Sequence, residues 1–273
     1  MGKIVQLPPL LLPGIGIAST SGTGNLISGS KSEIWLCPTY DAEGKGAPLY
    51  VKKGLTARAI MVEILCSQIA QVLTLPVPQP YIVTAKSKHV GGKGNSNIVC
   101  FGTLDMGSQS LARPIKCLNQ VLTLLQKLKI EDMIATYDEW IANDVRSPND
   151  ILFSPDNLLY LIDHESAIPP NKSADEQLTN WLADRLLESM NDQERRKLLR
   201  QMHSRIAAFQ RIKFTSAPLS SGFIQGSGEL YLELTKFLTE RLTHIHRLVS
   251  QRIFPNQLHL NLTTTQIDGA EQA

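Results

Sequence analysis

The chain changes its pattern once, and that change limits the folds open to it. Between residues 14 and 108 the apolar residues come in short runs, at 15–17, 34–36, 48–51, 81–83 and 97–101, broken by glycine, proline and serine. Runs of that length between turn residues read as strands. A single helical pattern, 56–73, interrupts them. Beyond residue 111 the apolar residues recur at helical spacing over 120–128, 130–142, 174–190, 192–212 and 229–253. One stretch in that second half departs from the rule. Residues 151–153 and 158–162 are short apolar runs separated by Ser154-Pro155-Asp156-Asn157, and they read as a β-hairpin. Strands first and helices after give an α+β chain in two units, 14–108 and 109–254, with a polar tail over 255–273 expected to be disordered.

Composition excludes several classes of function. A formal net charge of +2 makes no case for nucleic acid or an anionic membrane surface. Cys37, Cys66, Cys100 and Cys117 show no CxxC spacing, so they read as reduced thiols of a cytoplasmic protein, not as a disulfide frame or zinc site. The apolar N-terminus is cut by Pro8, Pro9 and Pro13, too broken for stable membrane insertion or a signal peptide.

The chemistry-bearing residues gather around the hairpin. Asp144 is followed by Arg146, by the turn residues Ser147-Pro148 and, five residues after the acid, by Asn149. A hairpin brings the end of its second strand back beside the start of its first, which returns Asp163 to Asn149. A carboxylate and an amide oxygen suit a hard divalent cation such as Mg²⁺. An acid that can take a hydroxyl proton, with two such ligands beside it, is the equipment of phosphoryl transfer. Farther back, a strand over 48–54 ends in Lys52-Lys53, and the helix after it carries Glu63 among Ala59, Cys66 and Ala70. An acid surrounded by small apolar residues needs a positive partner. Either lysine fits, and Lys52 is the choice. The Gly- and Ser-rich stretch 14–30 includes Gly22 and Gly24, whose backbone amides could cradle phosphate oxygens.

With these residues in view, the chain resembles the HipA-like kinases, a group with the protein-kinase-like fold related to phosphatidylinositol 3-/4-kinases. The resemblance rests on Tyr137-Asp138-Glu139-Trp140-Ile141-Ala142-Asn143, on Asp144 with Asn149, on Ile162-Asp163-His164 and on the helix exit Leu75-Pro76-Val77-Pro78. It covers roughly residues 14–168. It implies a two-lobed molecule, with a small antiparallel-sheet N-lobe and a mainly helical C-lobe, that binds ATP and Mg²⁺ in its cleft. In that reading Lys52 positions phosphates, Glu63 anchors it, Asp144 handles the acceptor hydroxyl and Arg146 offsets γ-phosphate charge. Asn149 and Asp163 hold metal, and the backbone of Leu104 and Asp105 meets the adenine edge. The acceptor would be a protein Ser/Thr, including loop residues such as Ser19 or Ser21, and a toxin–antitoxin setting would add an antitoxin or regulatory partner. A phosphoinositide-type lipid kinase and a catalytically silent pseudokinase are the alternatives. Two departures stand out: Val145 intervenes between Asp144 and its base, and Glu165 stands where the group usually has glycine.

Overall fold

The structure is a computed structural model that describes residues 8–27, 32–106, 118–153, 158–214, 224 and 226–255. The hairpin turn 154–157, Cys117 and nearly all of the expected tail lie outside the described residues. Among the described residues ten strands and six α-helices are formed: β1 Leu10–Leu11, β2 Gly16–Thr20, β3 Asn25–Ile27, β4 Glu33–Asp41, β5 Gly46–Lys53, α1 Ala57–Val72, β6 Pro80–Lys86, β7 Asn97–Leu104, α2 Leu118–Leu128, α3 Glu131–Ile141, β8 Ile151–Phe153, β9 Leu159–Leu161, α4 Trp181–Glu188, α5 Asp192–Phe209, β10 Ile212–Lys213 and α6 Ser227–Ile253.

The N-terminal sheet is not purely antiparallel, as expected, but mixed. Its strands run in the order β2-β6-β7-β5-β4-β3, and β2 also pairs with β4, so five of the six close on themselves. The β2–β6 pairing is parallel, with Gly16 opposite Tyr81, because the helix α1 intervenes between β5 and β6 and returns the chain in the same direction. Inside the closed sheet Ala18, Cys37, Leu49, Val51, Val83 and Cys100 form a small apolar core of their own. Burial pushes the Cys37 and Cys100 thiols up, to about 11 and about 12, which leaves them inert at neutral pH.

Helix α1 starts where the Thr56 hydroxyl accepts from the Ala59 amide. It has no polar face: every residue from Ile60 to Ala70 is buried. It joins a second, larger core with Ile82 and Phe101 of the sheet, Tyr137 and Trp140 of α3, and the inward faces of α5 and α6. Trp140 stacks on Phe209 with ring centroids 4.9 Å apart and donates its indole N–H to the Leu238 carbonyl at 2.9 Å. Arg58 reaches from α1 to Glu233 of α6 and to the Ile168 carbonyl, each at 2.7 Å.

The helix expected over 174–190 is confined to α4. The preceding carbonyls of Ala174 and Glu176 accept from the buried Arg241 guanidinium at 3.1 and 2.9 Å, and the Asn180 side chain caps Ala183. An arginine from α6 thus satisfies backbone groups that helical bonds would otherwise need. The expected start of α5 is as read, with a reciprocal capping box between Asn191 and Glu194. Among the described residues no helix is long and apolar enough to cross a membrane.

Candidate active site

Strand β5 is hydrogen-bonded on both sides, to β4 and β7, and its side chains alternate between faces. Lys52 points toward α1, on the face of β5 opposite Leu49 and Val51, and Lys53 lies on the other face at the end of the strand, where it pairs with the exposed Glu33 at 2.8 Å. The Lys52 ammonium lies 2.5 Å from Glu63 Oε1, and the two residues are 8% and 1% exposed. Glu63 is held from its other oxygen by the His164 backbone amide at 3.0 Å. Burial by itself would raise the Glu63 pKa, but Lys52 and His164 outweigh it and hold the carboxyl near about 2. Burial would likewise lower Lys52, and the surrounding carboxylates drive it well above its ordinary value instead. Both groups are therefore charged at neutral pH.

Two further carboxylates reach the same ammonium, Asp163 at 2.9 Å and Glu165 at 3.1 Å. They arrive on the loop that leaves β9. Strands β8 and β9 pair antiparallel with Ile151 opposite Leu161, and the Ile162 amide donates to the Asp150 carbonyl at 3.0 Å. That bond sets the backbone of Asp163 beside the Asn149–Asp150 turn. Asp163 has φ of +64°, a left-handed conformation that is strained for a residue with a side chain. The strain falls on Asp163 and not on Glu165, so the glycine usual at position 165 in the group is not needed for the backbone.

One carboxylate oxygen from each of Glu63, Asp163 and Glu165 lies within 4.8 Å of the others. Three carboxylates against a single ammonium leave local negative charge, and the most open of them, Asp163, with a side chain 41% exposed, offers the hard oxygen that suits Mg²⁺. Asn149 stands exposed in the turn, its backbone N–H donating to the Ser147 hydroxyl at 3.2 Å. Asp144 is half-buried.

Residues 25–219 match the family model described as HipA-like kinase. The chain belongs to the HipA-like kinase family. No curated protein matches it. Among solved structures, the crystal structure of a Helicobacter pylori proinflammatory kinase, CtkA, is similar over 90% of this chain and 100% of that one, with a TM-score of 0.53 and 14% identity. That likeness is one of fold. The Chaetomium thermophilum Rio2 kinase, in a complex with ADP/Mg²⁺ and phosphoaspartate, aligns over 85% of this chain and 71% of its own at 11% identity, with a TM-score of 0.35, too low to carry weight. Membership of the HipA-like kinases makes phosphotransfer the reaction class.

Several expected site residues of this HipA-like kinase stand elsewhere than expected. Gly22 and Gly24 lie in the β2–β3 connection, over Pro38 and Cys37. Cys37 is three residues along β4 from Ile34, the register partner of Lys52, or roughly 10 Å away. The Gly24 amide is already bonded to the His89 carbonyl at 2.8 Å, so it is not available to a phosphate. The sheet end that holds Lys52 is instead reached by the β3–β4 connection, of which Ser32 is described and 28–31 are not. Leu104 and Asp105 donate their amides to the carbonyls of Gln79 and Pro48, both at 3.0 Å, so neither N–H is left to read an adenine edge.

Arg146 is buried, 3% exposed. Its Nε donates to both oxygens of Asp138 and its Nη1 to the Ile162 carbonyl at 3.0 Å. These contacts fix the loop around Asp144 and occupy the Arg146 Nε and Nη1, while Nη2 is buried without a hydrogen-bond partner among the described residues. Asp138 was readable as a partner, since it sits among the buried residues of α3, one turn before Ile141 and eight residues before Arg146. Glu165 and His164 were seen only as part of a motif, with no sign of what they would touch.

Proposed function

We propose that the chain is a two-lobed, ATP- and Mg²⁺-dependent kinase that transfers the γ-phosphate to a protein serine or threonine. One observation carries the reading: a buried Lys52–Glu63 pair whose ammonium also contacts Asp163, 111 residues farther along the chain, at 2.9 Å. Burying a charge pair is expensive, and a fold has little reason to place it beside an exposed third carboxylate unless the lysine serves a ligand. In the protein-kinase arrangement that lysine holds nucleotide phosphates. Glu63 keeps it in place, and the His164 amide keeps Glu63 in place.

Asp163 and Asn149 are the residues that would hold the metal, which when bound supplies positive charge against the phosphate oxygens. Asp144 orients the acceptor hydroxyl and takes its proton. Arg146 acts by holding the loop that carries Asp144. Acceptors include the chain's own Gly- and Ser-rich stretch, at Ser19, Ser21 or their neighbours, and a cytoplasmic setting with a regulatory partner is consistent with the family.

The test is incubation of the full chain with γ-labelled ATP, with and without Mg²⁺, alone and with protein acceptors or lipid vesicles. Asp163→Ala should lower label transfer by about 10³-fold or more while leaving the thermal unfolding profile intact. Undiminished transfer by that variant would overturn the assignment, and transfer to vesicles alone would make the acceptor a lipid.

A further inference from the structure

An ammonium group has three N–H donors, and Lys52 has three carboxylate partners: Glu63 at 2.5 Å, Asp163 at 2.9 Å and Glu165 at 3.1 Å. As the structure stands, no donor is left for a phosphate. A ligand must displace one of the three. Glu63 is 1% exposed and tied from a second side by the His164 amide, so it stays. The other two face the opening, with side chains 41% and 24% exposed for Asp163 and Glu165. Glu165 makes the longest of the three contacts. Its other oxygen accepts from the Ser32 hydroxyl at 3.2 Å, so one carboxylate joins Lys52 to the residue that leads into β4.

We propose that Glu165 is a positioning residue that occupies the third donor of Lys52 in the nucleotide-free protein and competes with nucleotide phosphate for it. This inference rests on the reading of Lys52 as the phosphate ligand. Carboxylate and phosphate are both anionic acceptors, and they cannot share one N–H without mutual repulsion. Nucleotide therefore binds the fraction of molecules in which Glu165 has let go, and its apparent affinity is reduced by that fraction. When Glu165 swings away from Lys52 its contact with Ser32 is disturbed as well. Occupancy of the lysine is thereby reported to the start of β4.

The experiment is calorimetric titration of the full chain with ATP and with ADP, each with Mg²⁺ and in EDTA. The wild type is compared with Glu165→Gln, Glu165→Gly and Lys52→Met. Glu165→Gln should bind ATP about tenfold tighter in both arms, and Glu165→Gly at least as tightly. In turnover assays the KM for ATP should fall with kcat little changed. A gain of affinity separates this role from a structural one, because a damaged fold does not bind better.

Unchanged or weaker binding by Glu165→Gln, with Lys52→Met having lost binding, would overturn the inference and leave the nucleotide reading standing. A loss confined to the Mg²⁺ arm would also overturn it, by making Glu165 a metal ligand. Equal binding by the wild type and Lys52→Met would instead refute the nucleotide reading, and the inference with it.

Discussion

The Nε of Arg146 donates to both carboxylate oxygens of Asp138, at 2.9 and 2.7 Å, with the side chains 1% and 2% exposed. The pair locks the loop that bears Asp144 to the helix α3 before it. Removing one member strands the other as an unpaired buried charge, at about 3–5 kcal/mol. Asp138→Asn should accordingly lose about 3 kcal/mol or more in urea unfolding, and Asp138→Leu/Arg146→Met should recover most of it. A single-variant loss below about 1 kcal/mol would show that the pair is not locked in this way.

Glu63 gives the protein an acid-sensitive point. Its folded pKa lies near about 2, against 4.5 as the ordinary value. Across that interval the unfolded chain binds more protons than the folded one, so stability rises with pH there. The contribution is complete above the ordinary value and is lost as pH falls toward the folded one. Glu63→Gln should be less stable at neutral pH and should show a shallower fall in unfolding free energy between pH 5 and 3. A parallel curve for the two proteins would place the acid sensitivity in other carboxylates.

Asn149 is exposed, and its side chain supports no packing. Asn149→Ala should therefore leave the unfolding midpoint within about 1 °C of wild type, yet raise the Mg²⁺ concentration for half-maximal phosphate transfer by about tenfold. An unchanged metal requirement would remove Asn149 from the metal site.

The glycines of the β2–β3 connection test the placement of the nucleotide. A Cβ on Gly24 would come within 2.4 Å of Cys37 Sγ and 3.0 Å of the Leu36 carbonyl, whereas on Gly22 it would meet only Pro38 Cγ, at 3.3 Å. Gly24→Ala should lose about 1–3 kcal/mol of stability and Gly22→Ala much less. Neither should change the KM for ATP by more than about twofold, since both lie away from Lys52. A large rise in KM for Gly22→Ala would return that connection to the phosphates.

The parts of this fold that sequence reasoning reached are those specified locally. The register of β8 and β9 follows from two short apolar runs and a turn between them. Glu63 announced itself as an isolated acid in a helical row of small apolar residues, and alternation along β5 separates Lys52 from Lys53 once a partner is known. What escaped is non-local. The closure of β2 onto β4 pairs residues about twenty apart, and no local pattern marks the parallel contact of β2 with β6. Strand β3 is three residues long and mostly exposed, so the glycine-rich stretch gave no sign that it holds two connections with different destinations. The role of Arg146 was taken from the family resemblance, whereas its guanidinium pairs with an acid eight residues earlier.

The ring formed by β2, β6, β7, β5 and β4 has one more consequence. A strand at the margin of an open sheet can slide or peel, but the lysine strand lies between two neighbours in a circle that has no loose end. Lys52 is thus the fixed post of the site. Whatever adjusts to an arriving nucleotide has to come from the other bank: the segment after β9, which is bent at Asp163 and ends in Glu165.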